Sequence, residues 1–529
     1  MSRSRWVRRA GLGLLLAGCA RPPCDHCDTL VIAATAEPSA LLPPLVYETV
    51  GRDISDQVFE RLADLATGAA PIDPAGYRPG LAASWERVDS LGWRFHLRPG
   101  AQWQDGSPVT AGDVVFSFQA YGDSVLDAPA RSTLAGRITA SAEDSSTVLI
   151  RFRQAYPEQL YDATWHVRII PAHIWRWVPV GDWAADTAIA HLVGSGPYRV
   201  RSWQRGQTLT LVADSLLERA APAVRTAIWR FATDPDAALN LVLSHEADLL
   251  ETLGTPERAT RVRADSVLRA ISYPSATYGF LGYQLKGAGP LTDPEVRRAL
   301  NQGVDRSTLA RVMFGPGTRP PPGPMSQLLW IWDDSITVLP FDTATARSRL
   351  SGAGWSRGPD GVLAHHRKRL QFDILVPSSS PVRRRVAEAL QEDWRRLGAE
   401  VTVNAVEFPV FMERLGRGRF DSYIGTWLDE PSPHGLGDQW TSAGIGALNY
   451  GGYASPGFDR EFTRALEATS VAEARARFRM AFDTLNADAP ALFLFAPVNV
   501  AAVSRRVENL EIDPFSWLSG LRRLRLRPN

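Results

Sequence analysis

Strand-like and helix-like stretches alternate along the chain, and this alternation restricts the fold more than any other feature of the sequence. The run Thr29–Thr35 is apolar and rich in β-branched residues, as expected of a buried strand. Leu209 and Leu211 alternate with polar neighbours, which is typical of a half-buried strand. Neither internal repeats nor low-complexity tracts interrupt the pattern. The sequence therefore predicts a mixed α/β protein with several lobes.

Two helices can be placed from the spacing of their apolar residues. The segment "RRRVAEALQEDWRRL" predicts a helix that stops at Gly398 and leads into the strand Val401–Val406, a helix-to-parallel-strand unit. An earlier segment, "ISDQVFERLADL", predicts an amphipathic helix with Asp53 or Ser55 as its N-cap. The apolar face of that helix would consist of Ile54, Val58, Leu62 and Leu65.

Length and composition place the chain among large folded proteins. Its 529 residues are enough for two or three domains, and 45% hydrophobic with 22% charged residues is ordinary for globular proteins. The formal net charge of +1 creates no field that would attract nucleic acid, so a nucleic-acid partner is not expected.

The first residues have the pattern of an export signal. Arginines precede the apolar run Ala10–Ala17, which is too short for a bilayer span of about 20 residues but fits a signal peptide. The sequence Leu-Ala-Gly-Cys that ends at Cys19 resembles the lipobox of bacterial lipoproteins. This resemblance implies that residues 1–18 are removed and that Cys19 carries a diacylglycerol, which would be the membrane anchor. The alternative is an ordinary secreted protein with a chance cysteine.

Cys24 and Cys27 form a C-x-x-C pair within the predicted tether, residues 19–28. In an exported protein, a short-loop disulfide between these two residues is the main interpretation. His26 leaves a metal site as the alternative, whereas a haem motif would need histidine where Asp28 stands. We expect the protein on the periplasmic side of a membrane or at the cell surface, and the sequence does not distinguish inner from outer membrane.

Motifs of known catalytic chemistry do not occur in the chain. The G-x-S-x-G, H-E-x-x-H and G-x-x-x-x-G-K patterns are missing, and the nine histidines are scattered. Acidic residues form no pairing that would indicate an acid/base dyad. We therefore predict no catalytic residues, no metal site and no cofactor, and a protein that is not an enzyme.

A series of motifs spread over nearly the whole chain points to one family. The segment Tyr77–Phe118, "YRPGLAASWERVDSLGWRFHLRPGAQWQDGSPVTAGDVVFSF", resembles the signature of the family 5 extracellular solute-binding proteins, the oligopeptide-, dipeptide- and nickel-binding components of ABC importers. Physically it indicates a strand, a Pro-Gly turn, a short strand, an Asp-Gly turn and a helix capped near Thr110. Further segments resemble the family's motifs in the family's order: Gly194–Trp203, Leu291–Leu309, Phe341–Trp355 and Gly446–Asp459.

The resemblance implies a periplasmic-binding-protein-like, two-lobed clamp of type II with an additional small domain. Two crossing strands would form its hinge, and the ligand would be enclosed when the lobes close. The implied division of the mature chain is lobe I in three pieces (29–62, 194–275 and 497–529), the small domain (63–193) and lobe II (276–496).

The same resemblance nominates ligand-binding residues. In peptide-binding members an aspartate in a W-x-x-D-Y-x-D-P-like loop pairs with the peptide's α-ammonium group, and "TWLDEPSPHG" offers Asp429 at that place with Trp427 as a flanking match. The alternative is an aspartate that caps its own turn beside the equally acidic Glu430. Aromatic residues are further candidates to line the cleft, although such residues are also common in cores. They are Trp440, Tyr450 and Tyr283.

The function implied is that of a substrate-binding lipoprotein of an ABC importer. It would be a monomer that captures a peptide or similar small solute and delivers it to the permease and ATPase subunits. Two alternatives remain open. One is an exported hydrolase or chaperone-like lipoprotein on the same scaffold, and the other is an importer component for a metal chelate, an opine-like compound or an oligosaccharide.

Overall fold

The computed structural model describes residues 28–214 and 222–527 of the chain. The predicted lipidation site Cys19 and the predicted disulfide partners Cys24 and Cys27 lie outside the described residues. Three large sheets organise the rest, and each is built from a different part of the sequence.

A seven-stranded sheet collects strands from three separate stretches of chain. Its central strand, Thr29–Ala34, runs parallel to Thr226–Phe231 on one side and to Leu249–Leu250 on the other. Leu30 and Ile32 of this strand are buried in the main core on one face. In spatial order the strands are Leu268–Pro274, Val498–Ser504, Leu249–Leu250, Thr29–Ala34, Thr226–Phe231, Thr208–Ala213 and Tyr198–Gln204.

A five-stranded sheet lies between two apolar cores. Neighbouring residues of one strand point to opposite faces, and Phe280 accordingly packs in one core while Leu281 packs in the other. In spatial order the strands are Glu400–Val406, Gln371–Pro377, Ser422–Leu428, Thr277–Tyr283 and Ala491–Phe495.

A four-stranded antiparallel sheet forms the third layer, with strands Ala82–Asp89, Gly92–Leu97, Thr147–Phe152 and Ile138–Ala142 in spatial order. The turns predicted after its second strand are present, with Gly100 and Gly106 at positive φ. The helix that follows begins with a reciprocal capping box between Thr110 and Asp113. Shorter sheets pair Ala63–Leu65 with Tyr77–Pro79, and Val507–Glu508 with Arg525–Leu526. A three-stranded sheet consists of Ser356–Arg357, Leu363–His365 and Lys368–Arg369.

The α-helices pack on these sheets. The helix predicted to stop at Gly398 is confirmed: it spans Pro381–Leu397, Gly398 adopts φ 102°, and the strand Glu400–Val406 follows. The other helices are Thr49–Val58, Ala111–Gly122, Arg131–Leu134, Gln159–Thr164, Ala172–Trp175, Pro235–Leu243, Pro256–Ala264, Pro294–Gln302, Arg306–Phe314, Thr343–Gly352, Phe408–Gly416, Gly435–Trp440, Pro456–Glu467 and Val471–Asp488.

The predicted amphipathic helix ending near Leu65 is wrong in both its limits. The helix is Thr49–Val58, with Glu48 rather than Asp53 or Ser55 at the N-cap position. At Phe59 the backbone becomes extended, and the chain continues into the strand Ala63–Leu65. Leu62 and Leu65 are buried as the sequence suggested, but in the core of the four-stranded sheet rather than in the helix's own core.

The chain crosses between the seven- and five-stranded sheets twice, and the crossings lie side by side. Leu268–Pro274 leads directly into Thr277–Tyr283, and Ala491–Phe495 leads directly into Val498–Ser504. The backbone N–H of Ser275 in the first crossing donates to the carbonyl oxygen of Pro497 in the second at 3.0 Å. Two adjacent antiparallel crossings are the arrangement expected of a two-lobed clamp.

The return from the four-stranded sheet to the seven-stranded sheet depends on glycine. Gly196 donates its N–H to the carbonyl oxygen of Val58 at 2.8 Å. A Cβ atom on Gly194 would lie 1.8 Å from that same carbonyl oxygen, which no side chain could tolerate. The close backbone approach explains why this motif contains glycine at both positions.

The fold class predicted from the sequence, mixed α/β with several lobes, is confirmed by the three large sheets and the helices packed on them. The limits assigned to lobe I, lobe II and the small domain stay a prediction. We keep these names below for residues 29–62, 194–275 and 497–529, for 276–496, and for 63–193, respectively.

A buried ion pair joins distant parts of the seven-stranded sheet. Arg506 donates from Nε and Nη2 to the two carboxylate oxygens of Asp248, at 2.5 and 2.6 Å. Arg506 also donates to the carbonyl oxygen of Thr29 at 2.7 Å, and Asp248 accepts from the N–H of Val31 at 2.9 Å. Three segments that are hundreds of residues apart are thereby held at one edge of the central strand.

We expect Asp248→Asn to lower the free energy of unfolding by about 3 kcal/mol, because it removes the charge of a buried carboxylate that accepts hydrogen bonds from Nε and Nη2 of Arg506 and from the N–H of Val31. Urea-induced unfolding followed by circular dichroism measures the change. The matched control is Glu246→Gln, which removes the partner of Arg230 in a largely exposed pair and should change stability by at most about 0.5 kcal/mol. Equal effects of the two substitutions would contradict the role given to Asp248.

Candidate functional site

The residue predicted to anchor the ligand lies at the end of a central strand of the five-stranded sheet. The strand Ser422–Leu428 ends one residue before Asp429. The backbone N–H of Asp429 then donates to the carbonyl oxygen of Ala276 at 2.7 Å. Since Ala276 lies in the first crossing between the two sheets, this bond fixes the carboxylate beside the junction of the two lobes.

Asp429 is a buried acid that has no cationic partner in the described part of the chain. Its side chain is 6% exposed, and its Oδ2 atom accepts from the backbone N–H of Ser326 at 2.6 Å. Burial raises the pKa of Asp429 to about 7, and the hydrogen bonds from Ser326 offset only part of that effect. Among the residues that the structure describes, no arginine, lysine or histidine lowers this pKa. The site therefore lacks the positive charge that would make an ionised carboxylate favourable.

A cleft of about 1060 Å³ opens in front of Asp429, between lobe II and the small domain. We call this space the cleft. Trp427 lines it from the end of the strand Ser422–Leu428, and Asp429 and Glu430 line it from the loop that follows. Its opposite wall comes from the small domain and includes Arg137, Arg153, Tyr156, Tyr161, Asp162 and His166.

A smaller cavity of about 220 Å³ adjoins the cleft and is here called the side cavity. Thr133, His166 and Glu430 line both spaces. The side cavity reaches lobe I, because Arg52 and Ser55 of the helix Thr49–Val58 form part of its wall; Arg168 of the small domain is another lining residue. Residues of both lobes and of the small domain thus surround one continuous pair of spaces.

The loop that carries Asp429 is also bonded to the opposite wall. Glu158 of the small domain is 2% exposed. It accepts a hydrogen bond from the Ser432 hydroxyl and pairs with Nδ1 of His434 at 2.7 Å. Burial acts to lower the pKa of His434, but the hydrogen bond and charge of Glu158 raise it above its ordinary value. The His434–Glu158 pair therefore bridges the two walls of the cleft.

The structure separates the five predicted ligand-binding residues into two groups. Trp427 and Asp429 line the cleft, whereas Tyr283, Trp440 and Tyr450 line a different, narrow cavity of about 10 Å³. Tyr450 lies beside the cleft residue Trp427, on which its ring stacks with centroids 6.4 Å apart.

Trp440 and Tyr283 lie in the interior of lobe II and do not reach the cleft. The indole N–H of Trp440 donates to the hydroxyl of Tyr278 at 3.1 Å. Tyr283 is fully buried and donates to Oδ1 of Asn301 at 2.8 Å. These contacts satisfy their polar atoms within the core, which is the alternative considered for aromatic residues from the sequence. A ligand-binding role for the two residues finds no geometric support.

Several cleft and cavity residues were missed by sequence reasoning. Arg52 and Ser55 lie three positions apart on one helix, a spacing that places both on one face, so this signal was present but not used. Glu158 and Arg168 gave no signal, because their importance depends on residues far away in the sequence. His434 was treated as one of several scattered histidines, although it lies in the same loop as Asp429.

The described part of the chain offers neither a metal centre nor a membrane span. Within residues 28–214 and 222–527, no three or more His, Cys, Asp and Glu side chains are grouped so as to hold a metal ion. In the same ranges, each helix is too short or too polar to cross a bilayer.

Comparison with known proteins agrees with the geometry. The family model described as bacterial extracellular solute-binding proteins, family 5 Middle, matches residues 76–446. Protein XP55 of Streptomyces lividans is 28% identical over 517 residues, which cover 93% of this chain and 91% of that protein.

Two solved structures show the same fold. The oligopeptide-binding protein AppA of Bacillus subtilis, in complex with a nonapeptide, matches with a TM-score of 0.72 and 22% identity, covering 94% of this chain and 99% of that one. NikZ of Campylobacter jejuni, in complex with Ni(L-His), matches with a TM-score of 0.73 and 22% identity. The match covers 92% of this chain and 95% of that one.

The raised pKa of Asp429 predicts how stability depends on pH. Between pH 4 and 7 the unfolded chain loses the Asp429 proton while the folded, unliganded protein keeps it, so the folded state loses stability as the pH rises. Asp429→Asn abolishes this loss, and we expect the variant to equal the parent protein near pH 4 and to exceed it near pH 8. A pKa change from 3.8 to about 7 corresponds to a gain of at most about 4 kcal/mol. Thermal unfolding of both proteins from pH 4 to 8 measures the difference, and parallel curves would show that burial does not perturb this carboxyl.

Proposed function

Because the chain belongs to the family 5 bacterial extracellular solute-binding proteins, we propose that it captures a solute with a primary ammonium group, such as a short peptide, for an ABC importer. Asp429 is the residue to which this ammonium group binds. The observation that carries the proposal is a carboxylate that is 6% exposed, faces a cleft of about 1060 Å³ and has no cationic partner among the described residues.

The chemistry of the pairing follows from the environment of Asp429. An ionised carboxylate is costly in a buried position unless a positive charge accompanies it. A ligand ammonium group would supply that charge and donate up to three charge-assisted hydrogen bonds. Binding would then lower the pKa of Asp429 and release its proton near neutral pH.

The similar solved structures support a cargo that is derived from amino acids, and they leave open whether it is a peptide or a metal chelate. AppA was solved with a nonapeptide and NikZ with Ni(L-His), and this chain covers nearly the full length of both. A peptide and a metal chelate are therefore both candidates. Asp429 favours the peptide, because a free terminal ammonium group fits an unpaired buried carboxylate better than an amine already bound to a metal.

Delivery of the solute would depend on closure of the clamp. A ligand stabilises the closed form only as far as it contacts both walls, and the cleft is lined from lobe II and from the small domain. The closed form would then be recognised by the permease and ATPase subunits of the importer. We propose that the protein acts as a monomer in this cycle.

The ammonium anchor is tested by titrating the full-length protein, purified in mild detergent, with a pool of short peptides. Each peptide is supplied with a free and with an acetylated N-terminus, and bound species are identified by mass spectrometry. We expect only free N-termini to bind, and Asp429→Asn to weaken binding by at least about tenfold. The adjacent Glu430→Gln is the matched control and should retain most of the affinity.

The same titration has a pH signature. Affinity should fall about tenfold for each pH unit below 7 as Asp429 becomes protonated, and should fall again above about pH 8 as the terminal amine loses its proton. Equal binding of acetylated and free peptides, or full affinity of Asp429→Asn, would rule out this anchor.

The anchor to the membrane is a separate proposal. We propose that Cys19 carries a lipid which holds the clamp at the outer face of a membrane, on the periplasmic side or at the cell surface. We expect metabolic labelling with a fatty-acid analogue to mark the parent protein and to fail for Cys19→Ser, whereas Cys24→Ser keeps the label. A labelled Cys19→Ser variant would show that the anchor lies elsewhere.

A further inference from the structure

We infer that Glu158 of the small domain is a positioning residue for the ligand site: it holds the loop that carries Asp429 and latches lobe II against the small domain. The inference goes beyond the proposed function and rests on it only for the movement of the lobes. In this role Glu158 acts through two side chains of lobe II, those of Ser432 and His434.

The small domain is joined to lobe I by buried polar contacts. The side-chain amide of Gln104 donates to the carbonyl oxygen of Tyr198 at 2.7 Å and accepts from the N–H of Gly194 at 3.0 Å. Arg168 donates to Asp56, and these two side chains are 12% and 5% exposed. We therefore expect the small domain to move together with lobe I when the clamp opens.

Glu158 is buried where the small domain meets lobe II. It is 2% exposed and directly precedes the helix Gln159–Thr164. Its Oε2 atom accepts from the Ser432 hydroxyl at 2.5 Å and lies 2.7 Å from Nδ1 of His434. Within residues 28–214 and 222–527, the carboxylate has no further hydrogen-bond or ion-pair partner. The partners that a buried carboxylate requires thus come from lobe II and not from the small domain itself.

The small domain holds Glu158 in place through its neighbour Gln159. Gln159 is 1% exposed, and its side-chain amide donates to the carbonyl oxygens of Ser90 and Gln154, both at 3.0 Å. Ser90 lies in the turn between the first two strands of the four-stranded sheet. The start of the helix is thereby fixed on that sheet, and with it the place at which Glu158 meets lobe II.

On the side of lobe II, the latch and the ligand anchor belong to one short segment. Ser432 follows Asp429 by three residues, and His434 follows by five. Pro431 and Pro433 flank Ser432 and are both buried. Since proline restricts the backbone angle φ, this segment has little freedom to absorb a displacement of Ser432. Glu158 therefore helps to set the position of Asp429.

The latch acts on closure and not on the choice of solute. If lobe II moves away from the small domain, Glu158 loses both contacts, so they favour the form in which the two walls are close. The apparent affinity of a ligand depends on the fraction of protein that is already in the binding-competent form. Glu158 therefore raises the affinity for every solute by one factor, whereas Asp429 distinguishes solutes by their ammonium group.

The first test measures amide hydrogen exchange by mass spectrometry in the full-length protein without ligand. We expect Glu158→Gln and His434→Ala each to speed exchange about tenfold in two segments, residues 154–165 of the small domain and 429–440 of lobe II. The matched control is Glu143→Gln, which removes the partner of Arg94 in an ion pair within the small domain, and it should change neither segment.

The effect across the contact separates a latch from a local structural role. His434→Ala alters an exposed side chain of lobe II, so it keeps the test valid if Glu158→Gln fails to fold. Faster exchange confined to the segment that carries the substitution would overturn the latch, and so would unchanged exchange in both segments.

The second test uses the peptides recovered from the pool above. We expect Glu158→Gln and His434→Ala to weaken binding of all these peptides by the same factor, about tenfold, and to keep the preference for free N-termini. Weaker binding of some peptides only, or full affinity for all, would overturn the inference. If no peptide binds in a manner that depends on Asp429, the proposed function fails, and the exchange measured without ligand still decides about the latch.

Discussion

The two adjacent chain crossings at Ser275 and Pro497 are the constraint on which the rest of the molecule depends. They join the seven-stranded and five-stranded sheets through a pair of segments that bond to each other. The first crossing also accepts the backbone hydrogen bond from Asp429, so the same few residues connect the lobes and position the carboxylate. A movement of one lobe relative to the other about these crossings would alter the far walls of the cleft more than the position of Asp429.

Two buried carboxylates differ in how the protein compensates their charge. Asp248 in the seven-stranded sheet accepts hydrogen bonds from Nε and Nη2 of Arg506 and from the N–H of Val31. Asp429 accepts from the backbone N–H of Ser326, and among the described residues no arginine, lysine or histidine lowers its pKa. Because a buried carboxylate is unfavourable without a positive charge, Asp429 is the kind of perturbed group that is typical of functional sites.

Features of the fold and of the candidate site could be predicted from the sequence where they depend on residues close together in the chain. Gly398 and the Thr110–Asp113 capping box act within one turn, and both were placed correctly. The helix beyond Val58 was wrong because Leu62 and Leu65 keep a helical spacing but are recruited by a different core. Trp440 and Tyr283 could not be assigned to core or cleft by composition alone, and the side cavity depends on Arg168, whose neighbours in space lie far away in the sequence. Asp429 was found through a family motif, yet its missing cation became visible only in three dimensions.

The position of Asp429 beside the chain crossings has a consequence for how a bound solute could close the clamp. A ligand shifts a conformational equilibrium only by its differential affinity for the two states. Contacts with Asp429 and with the loop around it lie on one wall of the cleft, and the opposite wall comes from the small domain. A solute held at Asp429 alone would therefore favour closure little, whereas a solute that also contacts the small domain would favour it by the free energy of those added contacts.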